Sequence, residues 1–338
     1  MPSVVSGRRV VVFALGGTIA MTADASGGVV PTLSGEQLVA GVPGLRDLGI
    51  RVEVTDFRRM PAGSFSFEDL HELAAAVDDC LGRGADGVVV VQGTDTIEET
   101  AYLLDLTHRH DAPVVFTGAM RNPTLAGPDG PANLLAAITV AAHPACRGLG
   151  CLVVLADEIH AAAQVRKAHS MSIAAFVSPD TGPLGYLVEG VPRLLTRPAR
   201  RYTVPAAPPL ARTPRVALVT VTLGDTGESL PDPADLDGLV IASFGVGHVP
   251  ARLVPELAAV AARIPVVFAS RAGSGPTATG TYGFAGSERD LLARGFIPAG
   301  FLDPLKARLL LYTLLRHGID RAGIVEAFTV AGTGSDPD

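Results

Sequence analysis

"GVVVVQGTDTIEETAYLLDLTHRH", residues 87–110, sets four consecutive valines before a glycine turn and a helix-forming run. A continuous β-branched stretch marks a strand covered on both faces, as in a parallel sheet with helices above and below. The run from 96 to 110 has the start signals of a helix. Thr96 or Asp95 can cap it, and Glu98 and Glu99 stand in the first turn, where the helix dipole favours negative charge. Leu103, Leu104 and Leu106 supply part of an apolar face.

The same strand–turn–helix unit recurs along the chain. "RVVVFAL" (9–15), "RVEVTDF" (51–57), "APVVFTG" (112–118) and "GCLVVLAD" (150–157) read as further strands, and "FEDLHELAAAVDDCLGRG" (67–84) as a helix. This βα alternation predicts the α/β class. The proline-rich stretch "TVPAAPPLARTPR" (203–215) resists regular structure and reads as a linker. Beyond it the pattern restarts with "RVALVTVTLGD", "DGLVIASFGVGH", a helix over 252–263, "IPVVFASRAG", and helices near 287–294 and 303–317. A chain of 338 residues exceeds what one core usually holds. The expected organisation is an N-terminal α/β domain over 1–202, the linker 203–215, and a C-terminal α/β domain over 216–338. Each carries a mainly parallel sheet flanked by helices.

Composition narrows the function. Apolar residues make up 48% and charged residues 18%, which describes a globular chain able to bury a large core. Net charge is −7, and the arginines are scattered rather than gathered in a basic stripe, so nucleic acid is not an expected partner. Cys80, Cys146 and Cys151 form no regular framework and no C-x-x-C pair; buried free thiols in a reducing compartment fit them best. "RRVVVFALGGTIAM" has a basic start and an apolar run, but the run is short and no convincing small-x-small cleavage site follows. No segment approaches the roughly 20 apolar residues of a membrane span. The reading is a buried first strand and a cytoplasmic protein.

In doubly wound sheets, ligands bind at the carboxyl ends of the strands. Two loops there share a pattern: "ALGGT" delivers Thr18, and "VVQGTD" delivers Thr94 with Asp95. Either alone is equally a turn followed by a helix cap. Together, two strand-end threonines and an acid make a nucleophile constellation, provided that a base activates a hydroxyl. Only Lys167 and Lys306 are lysines, and arginine is no proton acceptor at ordinary pH. Lys167, in a polar run after a strand, is therefore the candidate base, or else an ordinary surface lysine. Neither a Walker A loop nor a G-x-G-x-x-G fingerprint is present at 15–21, so nucleotide binding is not expected. The eight histidines show no metal-ligand spacing, and no metal or other cofactor is implied. G-x-S-x-G is absent too.

"LGGTIAM" together with "QGTDTIEETAYLLDL" resembles the bacterial-type L-asparaginases of the asparaginase/glutaminase family. The likeness extends through "PVVFTGAMRNPTLAGPDGPANLLAAI", "VRKAHSMSIAAFVSPDTGPLGYL" and "LDPLKARLLL". It implies an amidohydrolase that converts L-asparagine and water to L-aspartate and ammonia with threonine nucleophile chemistry. By that resemblance Thr18 attacks the side-chain amide carbon, and Thr94 is the second threonine, positioned by Asp95 and Lys167. Asp95 would hold the substrate ammonium and Ser64, in "AGSFS", the α-carboxylate. Eighteen residues before Lys306 stands Glu288, where the family keeps a glutamate reaching the substrate from a neighbouring subunit. Self-association into a dimer or tetramer is implied with it.

Two departures from the family pattern stand out. Residues 19–50 contain no tyrosine where a lid tyrosine is usual, and Tyr282 is one conceivable substitute. Phe65 replaces the glutamine that often follows the binding serine, which predicts a reshaped grip on the substrate α-groups. Rival readings are a glutaminase-leaning amidase, a subunit of a tRNA-amidotransferase type, and a non-catalytic asparagine-sensing protein.

Overall fold

The computed structural model describes residues 4–23, 28–199, 201–206 and 212–333. The chain divides between Pro198 and Ala199 into two units. In the first, the apolar runs become strands: β1 (Arg9–Ala14), the short β2 (Met21–Ala23) and β3 (Val29–Pro31), β4 (Arg51–Asp56), β5 (Gly87–Val91), β6 (Val114–Thr117) and β7 (Cys151–Leu155). Then come β8 (Glu158–Ala161), β9 (Arg166–Lys167), β10 (Phe176–Val177), β11 (Gly185–Val188) and β12 (Val191–Leu194). The helices are α1 (Gly35–Ala40), α2 (Phe67–Gly82), α3 (Ile97–Asp105) and α4 (Gly130–Ala142).

One sheet runs in the order β12-β11-β8-β7-β6-β5-β1-β4. From β4 to β7 every pairing is parallel, with Val12 opposite Val89 and Val89 opposite Val115. Every residue of β5 is buried, because its valines feed two cores in alternation. Val89 and Val91 join Val10, Val12 and the α4 residues Leu134, Ile138 and Ala141. Val88 and Val90 join Phe13, Phe116, Leu73 and Val77 of α2, and Ile97, Ala101 and Leu104 of α3. Burying a valine side chain contributes about 1.5–3 kcal/mol, so the sheet centre is the main source of stability here.

Two features differ from the reading of the runs. β4 was expected to be covered on both faces, but it is the outer strand, and its residues are half-buried or exposed. Val52 and Val54 pack on one core only. Beyond β7 the sheet continues as an antiparallel flank through β8, β11 and β12. The β7–β8 hairpin turns through Ala156 and Asp157, both at positive φ (50° and 64°). Such two-residue turns normally announce themselves by an Asn-Gly or Asp-Gly pair, which Ala-Asp does not.

The second unit contains β13 (Val216–Thr220), β14 (Gly238–Ser243), α5 (Val254–Ala261), β15 (Val266–Ser270), α6 (Glu288–Ala293), β16 (Ile297–Pro298), α7 (Pro304–Arg316) and α8 (Arg321–Thr333). Its four strands pair in chain order, all parallel. Leu239, Ile241, Val266 and Phe268 pack with Leu257 and Leu291 as its core. The proline-rich stretch falls within this unit, and its residues 207–211 lie outside the described residues. The three cysteines are buried and form no disulfide among the described residues. Among the described residues no helix is long and apolar enough to cross a membrane.

A buried histidine in β8 of the sheet ties stability to pH. His160 is fully buried, with Nδ1 2.9 Å from Ser178 Oγ. Its Nε2 lies 3.1 Å from Glu158 Oε2 but outside hydrogen-bonding orientation. Burial pushes the ring down to about 4 from 6.5. The unfolded chain therefore takes up this proton first as pH falls. Stability drops as the pH falls from about 6.5 to about 4, by about 3 kcal/mol in full. Denaturant melts at several pH values should show this loss, and His160→Asn should flatten it; an unchanged slope in the variant would remove His160 as its source.

Candidate active site

The loops at the carboxyl ends of β1, β4 and β5 are in backbone contact. Gly16 (φ +100°) and Gly17 (φ +92°) end the first strand, and Thr18 opens a short 3-10 turn, Thr18–Ala20. A Cβ on Gly17 would stand 2.3 Å from the backbone nitrogen of Gly93, and one on Gly16 would stand 3.1 Å from the Met60 oxygen. Both the positive φ and the close approach demand glycine. Gly93 in turn lies against Ala62 and Gly17. The two glycine–threonine loops are thus pressed back to back, with the Ala62–Ser64 turn beside them.

Lys167 crosses to this point from β9. Its Nζ donates to Thr94 Oγ1 at 2.9 Å and to Asp95 Oδ1 at 2.7 Å. The lysine side chain is 13% exposed and that of Asp95 81% exposed, so the pair is open to solvent on the acid's side. An ammonium offers three donors in all, and two are committed here. Thr94, buried, accepts one of them, leaving its own proton to be donated elsewhere. Thr18 is half-buried, and its hydroxyl makes no hydrogen bond among the described residues. Ser64 is exposed at the end of its turn, with its backbone N–H on Pro61 O at 2.9 Å.

Glu98, Thr96 and Gln92 hold this arrangement. Glu98 accepts the backbone N–H of Lys167 on Oε2 at 3.0 Å, which anchors β9 to the start of α3. Its place in a helix first turn already accounts for an acid there, so only burial marks it out. Thr96 was expected as a helix cap, but it makes no capping bond. Instead its Oγ1 donates to Ala62 O at 3.3 Å and accepts from Gln92 Nε2 at 3.3 Å, joining the Thr94 turn to the Ser64 turn. Asp95 is not the cap either, being paired with Lys167. Phe65 is half-buried and packs against the same core cluster as Phe57. In the segment expected to form a lid, residues 24–27 lie outside the described residues.

Glu288 belongs to the second unit, at the start of α6. It is fully buried. Burial alone would raise its carboxyl, but the backbone N–H groups of Tyr282 and Thr281, with His248, hold it below the usual range. Tyr282 is 44% exposed and stacks edge-on against His248. Among the described residues, no group of three or more His, Cys, Asp or Glu could hold a metal ion.

Comparison with known proteins covers both units. Residues 9–200 match the family model "Asparaginase, N-terminal", and residues 215–328 match "Glutaminase/Asparaginase C-terminal domain". The chain is 37% identical to a probable L-asparaginase of Deinococcus radiodurans, over 95% of this chain and 97% of that protein. It is 35% identical to L-asparaginase 2 of Escherichia coli, over 95% and 92% of the two chains. Among solved structures, a probable cytoplasmic L-asparaginase from Campylobacter jejuni is similar with a TM-score of 0.82 at 31% identity, covering 95% of this chain and 99% of that one.

Proposed function

The chain belongs to the asparaginase family, and on that premise we propose that it hydrolyses the side-chain amide of L-asparagine to L-aspartate and ammonia. The observation that carries this reading is Lys167 Nζ bridging Thr94 Oγ1 and Asp95 Oδ1 where the Gly17 and Gly93 loops meet. In the proposed reaction, Thr18 Oγ1 forms a bond to the amide carbon, the C–N bond breaks, and the proton from Thr18 ends on the departing ammonia. Water then cleaves the threonine ester and restores the hydroxyl. Lys167 orients Thr94 and keeps its proton directed at the reacting atoms. Backbone N–H groups of the glycine turns are suited to the developing oxyanion.

Asp95, with its second oxygen uncommitted among the described residues, takes the substrate ammonium, and Ser64 takes the α-carboxylate. Fixing both ends lowers the entropic part of the barrier. The second unit, with Glu288, serves the site of another copy of the chain, so the working form is a dimer or tetramer. Three buried cysteines, none in a disulfide among the described residues, favour a reducing, cytoplasmic location.

Glutamine is longer by one methylene, a difference worth about 1–3 kcal/mol in a fitted pocket. Ammonia release from L-asparagine, L-glutamine and their D-forms tests the reading. Asparagine should be preferred about 10- to 200-fold in kcat/KM. Equal rates would move the assignment to a glutaminase. Aspartate binding by calorimetry without any ammonia would make the protein a sensor instead.

A further inference from the structure

Gln92 follows β5 and precedes the turn that presents Thr94, and it is 0% exposed. Its Nε2 faces three oxygens: Thr100 Oγ1 at 3.2 Å, Thr96 Oγ1 at 3.3 Å and Gly93 O at 3.4 Å. A carbonyl can only accept, so Gly93 O fixes which end of the amide points this way. Oε1 is equally enclosed and has no hydrogen-bond partner among the described residues. A half-satisfied amide in a dry interior costs stability that an apolar side chain of similar length would not.

What the amide supplies is direction. A threonine hydroxyl carries a single proton. Because Gln92 donates to Thr96 Oγ1, that oxygen accepts on this side, and its own proton goes to Ala62 O, 3.3 Å away. Ala62 opens the Ala62–Ser64 turn, and its Cβ lies 3.0 Å from where a Cβ on Gly93 would stand. The relay from Gln92 through Thr96 to Ala62 therefore joins the turn that presents Thr94 to the turn that presents Ser64. Without the amide donor the Thr96 hydroxyl is free to rotate to other acceptors, and the tie to the Ser64 turn loosens.

Resting on the hydrolase reading above, we propose that Gln92 is a positioning residue for substrate binding. Through Thr96 it holds the Ser64 turn where the α-carboxylate of an amino acid, anchored at Asp95, can reach it. Fully enclosed, Gln92 touches no ligand itself. Its loss therefore falls on KM and on the affinity for L-aspartate, with kcat largely spared. The unmatched Oε1 makes stability and binding part company. The substitution that weakens the grip should leave the fold as stable as before, or more so.

The test compares wild type with Gln92→Met, Thr96→Val and Ser64→Ala, and with Gln92→Met combined with each of the other two. Each protein is read by steady-state hydrolysis of L-asparagine, calorimetric titration with L-aspartate and a thermal melt. Gln92→Met should raise KM and the aspartate Kd by about tenfold, keep kcat within about threefold, and lower Tm by no more than about 2 °C. Thr96→Val removes the relay's middle member at constant shape and should weaken binding by a similar factor. Adding Gln92→Met to Thr96→Val or to Ser64→Ala should cost less than about twofold more, since all three act on one contact. Wild-type KM and Kd in Gln92→Met overturn the inference, as do losses that multiply in either pair. A Tm that falls by more than about 5 °C together with kcat marks a structural residue and overturns it too. If Gln92→Met does not fold, unchanged binding in Thr96→Val decides against the relay. If Ser64→Ala alone leaves the aspartate Kd unchanged, the carboxylate is held elsewhere and the inference falls with that assignment. A wild-type protein that binds L-aspartate but releases no ammonia from asparagine instead sinks the hydrolase reading, and the titrations still decide this one.

Discussion

Replacing Thr18 by alanine is expected to lower kcat for L-asparagine by about 10,000-fold with KM near that of wild type, because the atom that forms the new bond is gone. Stability should change by no more than about 0.5 kcal/mol, since the side chain is half-buried and its hydroxyl makes no hydrogen bond among the described residues. A thermal melt run beside the ammonia assay separates the two effects. Thr18→Ser keeps the hydroxyl and should retain most of the rate. If the alanine variant holds more than about a tenth of wild-type kcat, Thr18 is not the nucleophile.

Lys167→Met should cost about 1,000-fold in kcat. It removes the donor to both Thr94 and Asp95 at once while roughly preserving the side chain's length. Thr94 loses its orientation, and Asp95 is left to solvent. Because Asp95 is largely exposed, losing the ion pair itself should cost no more than about 1 kcal/mol of stability, so the defect is one of chemistry. Arginine at this position should not restore activity, since its larger planar guanidinium cannot take the place of a compact ammonium 2.9 Å from Thr94 Oγ1 and 2.7 Å from Asp95 Oδ1, nor give up a proton. Thr94→Val combined with Lys167→Met should be scarcely worse than Lys167→Met alone, the behaviour of residues acting as a unit. Additive losses, or a methionine variant with ordinary kcat, would dissolve the proposed lysine–threonine pair.

Much of this site was legible in the residue order because its parts are local. Gly17–Thr18 and Gly93–Thr94–Asp95 each lie within one turn after a strand, and the valines before them announce that strand by burial on both faces. The supporting shell was not legible. Glu98 reads as an ordinary first-turn acid, and Thr96 as an ordinary cap. Their actual partners, the Lys167 N–H and the Ala62 carbonyl, lie 69 and 34 residues away in sequence.

The local pattern alone determined the α/β class, the parallel centre of the sheet and the pair of threonine loops. Strand periodicity and glycine turns are set by neighbouring residues, and the chain carries that information at short range. Tertiary structure decided what depends on distant partners. It left β4 half-covered as an edge strand, turned an antiparallel flank through Ala156–Asp157, and brought Lys167 onto Thr94 across 73 residues. It also enclosed Glu288 behind His248. Burial and hydrogen-bond satisfaction are properties of the packed whole, and no stretch of sequence holds both ends of such a contact.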